Sequence, residues 1–116
     1  IKRLSILGGE PLADENLDGV LHLVDRFRLL FPNKSIWIYS GYTWENIMKY
    51  EYGAKYINNF NTDALRQCIV SKCDVLVDGR YIDSQRNPSK KWAGSDNQRI
   101  ISIPESLKQG KVVTIE

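Results

Sequence analysis

A chain of 116 residues, 42% hydrophobic and 26% charged, has the make-up of one globular domain, residues 1–116, with a single modest core. Its formal net charge of +2 is too small for a general attraction to nucleic acid or to a membrane surface, so neither is expected as a partner. No apolar run approaches the roughly 20 residues that span a bilayer, and none reads as a secretory signal.

The chain opens at Ile1 without a methionine and reaches strand-like sequence by Leu4, so it is expected to be a piece of a longer protein. Leu4 to Leu7 reads as a short apolar strand that runs into Gly8, Gly9, Glu10 and Pro11. Glycines take backbone angles that other residues avoid and let a ligand approach the main chain. In α/β sheets ligands bind at the carboxyl ends of parallel strands. Gly-Gly-Glu-Pro at such an edge is either a binding site or a tight turn with an incidental carboxylate.

Asp14 and Asn16 offer N-caps for a helix running to about Phe31, with Leu17, Val20, Leu21, Val24, Phe27 and Phe31 on one apolar stripe. Pro32 ends it. His22, the single histidine, has no second ligand at metal spacing and reads as a surface or boundary residue. Ser35 to Tyr39 is a β-prone run suited to a strand covered on both faces. It breaks at Ser40-Gly41-Tyr42, and Thr43 caps a short helix to about Lys49. Residues 50–61 read as an irregular connection. Thr62 then caps a helix from Asp63 to about Lys72, with Leu65, Cys68 and Ile69 inward.

Cys73 to Val77 is a third strand, ending in Asp78-Gly79-Arg80. Repeated strand, glycine turn and helix imply βαβ units, hence an α/β fold with a mostly parallel sheet and right-handed crossovers. Such a sheet brings Glu10, Ser40, Asp78 and Arg80 to one edge. Cys68 and Cys73 are too few for a disulfide framework and miss the C-x-x-C spacing, so both read as small hydrophobes in a protein of the cytoplasm.

Residues 81–99 are basic and polar around a lone Trp92, and Gly94 to Arg99 is dense in side chains that bond to backbone. This is either a functional loop or a plain surface one. Ile100 to Ile103 and Val112 to Ile115 are expected to close the chain as an antiparallel hairpin around a turn at Pro104 to Gly110.

Strand-GGEP, WIYSGYTWE at 37–45, VLVDGRY at 75–81 and WAGSDNQRI at 92–100 together resemble the activating proteins of anaerobic ribonucleoside-triphosphate reductase. These are glycyl-radical activases of the radical S-adenosylmethionine class. The resemblance implies a partial (β/α) barrel and two cofactors, S-adenosylmethionine and a 4Fe-4S cluster. It also implies an electron donor and, as partner, the reductase whose glycine is converted to a radical. Gly8, Gly9, Glu10 and Pro11 would then bind the amino end of the cofactor's methionine, and the Ser40 hydroxyl would reach the cofactor. Asp78 and Arg80 match the D-x-K position of related activases, with a rigid guanidinium in place of the usual lysine. Trp92, with Ser95, Asn97, Gln98 and Arg99, either docks the reductase or ties the last turn together.

The resemblance also implies a C-x-x-x-C-x-x-C cluster loop upstream of the GGEP strand, and Cys68 and Cys73 do not supply it. The chain is therefore expected to be the C-terminal part of such an enzyme, inactive alone and holding neither catalytic nor metal-ligating residues. The alternatives are a noncatalytic nucleotide-binding or partner-docking α/β module, and a small interaction scaffold in which GGEP is only a turn.

Overall fold

The computed structural model describes residues 3–49 and 62–115. Four strands, β1 (Arg3–Ile6), β2 (Ser35–Ser40), β3 (Val75–Asp78) and β4 (Arg99–Ser102), form one sheet in the order β1-β2-β3-β4. The first three are parallel, and β4 runs antiparallel to β3. The expected α/β class and mostly parallel sheet are present. The central strands are β-branched and aromatic runs because both their faces are covered.

Four helices accompany the sheet: α1 (Leu17–Leu30), α2 (Trp44–Ile47), α3 (Thr62–Ser71) and α4 (Ile103–Gln109). Ile6, Ile36, Ile38, Leu76 and Ile101 face them and pack with Leu17, Val24, Phe27, Ile47, Ile69 and Ile103. Each such fully buried side chain contributes about 1.5–3 kcal/mol relative to exposure. The opposite face, with Trp37, Tyr39, Val75, Val77 and Ile100, is covered among the described residues by Trp92 and Ala93 and by no helix. At the amino edge, Arg28 donates to Lys72 O, Lys34 O and Asp74, and Asp74 accepts from Ile36 N, joining α1 to the starts of β2 and β3.

Several expectations need correction. Neither Asp14 nor Asn16 caps α1 with its side chain; both lie in a 3₁₀ turn, Asp14–Asn16, that precedes the helix. The Asn16 amide donates to Glu10 O (2.8 Å) and the Asp14 carboxylate pairs with Arg66, so both side chains are drawn to tertiary partners. Thr43 does cap α2, accepting from Asn46 N at 3.3 Å, but that helix ends at Ile47. The expected closing antiparallel pairing is present, but its connection is a helix instead of a turn. Residues 104–110 are helical or its cap, and the antiparallel ladder is β3 with β4. The tail returns beside β4 through a bridge, Ile101 to Thr114, and bonds from Ser102 N to Val113 O and Ile115 N to Ile100 O. The irregular connection expected over 50–61 lies outside the described residues. Among those described, no helix is long and apolar enough to cross a membrane.

Candidate functional site

The carboxyl edge of the parallel strands begins with Gly8 (φ +84°) and Gly9 (φ +55°), both exposed. A methyl group on either would meet nothing within 4 Å, so backbone angle and not crowding calls for glycine. Glu10 turns its carboxylate back into the protein. Its Oε2 accepts from Ser40 Oγ (2.7 Å) and Leu12 N (3.0 Å), and its Oε1 accepts from Gly41 N (2.7 Å). One carboxylate therefore fastens the exit of β1 to the exit of β2, using charge-assisted bonds, the stronger kind. Ser40 is buried, and its oxygen also accepts from Tyr42 N at 3.0 Å. Pro11 is buried as well, leaving its glycine neighbours as the exposed part of the stretch.

β3 ends at Asp78, the register partner of Ser40 and 1% exposed. Its Oδ2 accepts from Trp44 N (2.8 Å) and Arg99 Nη2 (2.6 Å), and its Oδ1 from Arg99 Nε (3.1 Å). Arg99 continues to Glu45 at 2.7 Å. These bonds raise the pKa of Arg99, and the guanidinium lowers that of Glu45. Asp78 thus ties the start of α2 to β4 from inside. Arg80, two residues on, is exposed, and its guanidinium makes no hydrogen bond or ion pair among the described residues. Glu10, Ser40, Asp78 and Arg80 share one edge, but only Arg80 presents a side chain free to meet a ligand.

The WAGSDNQR stretch packs against that edge. Trp92 sits half-buried at φ +71° and meets Trp37 edge-on, ring centres 5.2 Å apart. A left-handed angle is unusual for so bulky a residue and is held by this packing. Ser95 is fully buried, accepting from Ile82 N (3.2 Å) and donating to Asn97 Oδ1 (2.6 Å).

Three openings adjoin on this side; the one beside α2, about 480 Å³, is lined by Glu10, Gly41, Tyr42, Asn46 and Arg80, and the other two meet each other. Of these two, the first, of about 290 Å³, is lined by Gly8, Gly9, Ser40, Gly41, Arg80 and Tyr81 among others. The second, about 480 Å³, lies over the helix-free face, between Tyr39, Tyr81, Trp92 and Gly94. Tyr39, Val77, Tyr81 and Gln98 line both, so they form one cleft with a polar end and an aromatic end. Sequence reasoning missed Tyr39, Tyr81 and Gly94. Strand alternation from Trp37 was the available signal for Tyr39.

The sequence matches the 4Fe-4S single cluster domain family over residues 1–101. The chain belongs to that family. Among its relatives, the anaerobic ribonucleoside-triphosphate reductase-activating protein of Vibrio cholerae is 38% identical over 102 residues, which is 86% of this chain and 56% of the relative. The protein of the same name from Enterobacteria phage T4 is 36% identical over 108 residues, 92% of this chain and 57% of the relative. That of Escherichia coli K12 is 34% identical over 100 residues, 84% and 55%. The chain spans about half the length of these relatives. No solved structure matches it.

The 4Fe-4S family name poses a test of the thiols present, and they do not fit a cluster. Among the described residues no group of three His, Cys, Asp or Glu could hold a metal ion. Cys73 is 2% exposed and precedes β3, at the edge away from the cleft. Burial pushes its thiol up to about 12, and Sγ donates to Ile69 O, whereas a cluster ligand must be a thiolate. Cys68 lies on α3.

Proposed function

We propose that this chain is the S-adenosylmethionine-binding part of a radical S-adenosylmethionine enzyme that activates anaerobic ribonucleoside-triphosphate reductase, its sheet being a segment of a (β/α) barrel. The observation that carries it is the two-ended cleft, with the Gly8-Gly9 backbone and the Arg80 guanidinium at one end and tyrosine and tryptophan rings at the other. An ammonium group supplies only donors and suits backbone carbonyls, while a carboxylate suits a guanidinium fork. A flat base suits aromatic walls. The methionyl head would lie by Gly8, Gly9 and Arg80, and the nucleoside toward Tyr39 and Tyr81. Glu10 and Ser40 line the polar end and, together with Asp78, hold the strand exits in place. When bound, the cofactor supplies the group that removes a hydrogen atom from a glycine of the reductase. The cluster thiolates and the contact with the electron donor belong, on this proposal, to the rest of the longer protein.

The reductase would approach from the helix-free face, beside the basic residues Arg80, Arg86 and Lys91. The thiols present, which do not fit a cluster, are equally compatible with a noncatalytic nucleotide-binding module. One experiment separates the two. The full-length protein is loaded anaerobically with iron and sulfide and mixed with the reductase, a reductant and S-adenosylmethionine, and electron paramagnetic resonance is recorded. A glycyl-radical signal on the reductase is expected; its absence from a cluster-loaded protein that binds the reductase would sink the proposal.

A further inference from the structure

We propose that the stretch from Gly94 to Gln98 is a positioning device that holds Arg80 and Tyr81 as the wall of the cleft. The proposal rests on the cofactor reading of that cleft and assigns these residues, of which Gly94 and Gln98 also line it, the task of fixing its wall. The ties run to consecutive backbone groups of the β3 exit. Gln98 Nε2 donates to Gly79 O at 3.0 Å, Asn97 Nδ2 donates to Arg80 O at 2.8 Å, and Ile82 N donates to Ser95 Oγ at 3.2 Å. Gln98 Oε1 meanwhile accepts from Gly94 N (2.9 Å) and Ser95 N (3.1 Å), so the stretch that does the holding is itself closed into a tight loop. Residues 79, 80 and 82 are thus pinned on both sides of Tyr81.

Tyr81 is fixed differently. A methyl group on Gly94 would stand 3.0 Å from Tyr81 Cδ1 and 3.1 Å from Cε1, so the ring rests directly against the glycine backbone. Gly94 does not have the left-handed φ that would itself demand glycine, and the next nearest atom to that methyl is Gln98 Oε1 at 3.7 Å. Glycine is needed at 94 because of Tyr81. Since the ring lines both openings of the cleft, any shift of it changes the width of the passage between the polar and aromatic ends. A plain surface loop needs no such contact.

The test uses full-length, cluster-loaded protein under anaerobic conditions, with S-adenosylmethionine affinity measured by equilibrium dialysis and melting temperature measured in parallel. Gly94→Ala is expected to weaken binding about three- to tenfold with the melting temperature unchanged, because only the Tyr81 ring must move. Gln98→Glu keeps the shape and the acceptor but places a carboxylate oxygen against Gly79 O. It is expected to weaken binding by a similar factor at neutral pH and to recover as pH falls and the acid regains its donor proton. Unaltered affinity in Gly94→Ala, or a Gln98→Glu defect independent of pH, would overturn the positioning role while leaving the cofactor reading intact. Failure of the unaltered protein to bind would overturn both.

Discussion

At the scale of single residues, the decisive group is the Glu10 carboxylate. Three donors from two strand exits converge on it, and Ser40 and Gly41 come from 30 and 31 positions along the chain. Removing it leaves those donors without their acceptor, at a cost of about 1–3 kcal/mol for a partly buried site. Glu10→Ala is expected to lower stability by that amount in urea unfolding, and to weaken S-adenosylmethionine binding in the full-length protein through loosening of the Gly8-Gly9 exit. The pattern of strand, glycines and carboxylate was enough to place the glycine turn at the exit of β1, because glycine-rich strand ends are local signals. The direction of the carboxylate was not legible. A Glu after two glycines can face a ligand or its own protein, and here the choice is made by a hydroxyl and an amide from the next βα unit. Asp78 repeats the lesson: its place at the end of β3 was readable, but its burial beneath Arg99 and α2 depends on pairing with a residue 21 positions away.

At the scale of elements, long-range ties overrode local capping at one helix and local signals were misread at another. Arg66 of α3 reaches across to the GGEP exit, donating to Leu12 O at 2.7 Å, pairing with Asp14 and Asp63, and lying 4.8 Å from the Tyr42 ring centre. That pairing draws the Asp14 side chain away from the helix start, while Asn16, which stands at the N-cap position of α1, donates its amide to Glu10 O. The guanidinium is nearly buried while Asp14 and Asp63 are largely exposed, so its bond to the carbonyl matters more than the ion pairs. Arg66→Met is expected to cost about 1–3 kcal/mol in thermal unfolding followed by circular dichroism, and Arg66→Lys to recover only part, having no fork to bridge both targets. The tail, by contrast, carried its answer. Ser102-Ile103-Pro104-Glu105 is a capping sequence with proline in the first turn, and Ser102 Oγ accepts from Glu105 N. The proline marks a helix start and not the turn that its breaker character alone suggests.

At the scale of the whole molecule, alternation of strand and helix gave the parallel order directly, since each crossover carries its own periodicity. The helix-free face was harder to foresee. Its cover is an irregular loop, and its anchor, Trp92 against Trp37, joins residues 55 positions apart with no periodic signal. That same face exposes the cleft. β1 stands at the outer edge of the described sheet, with Leu7 62% and Leu23 43% exposed nearby, a surface suited to further covering. The most direct test is a crystal structure of the full-length protein with S-adenosylmethionine bound. The amino group is predicted against the Gly8 and Gly9 carbonyls, the carboxylate on Arg80, and the nucleoside toward Tyr39 and Tyr81. A cofactor seated beyond Arg80 against Tyr42 and Asn46, or away from this edge altogether, would contradict the account.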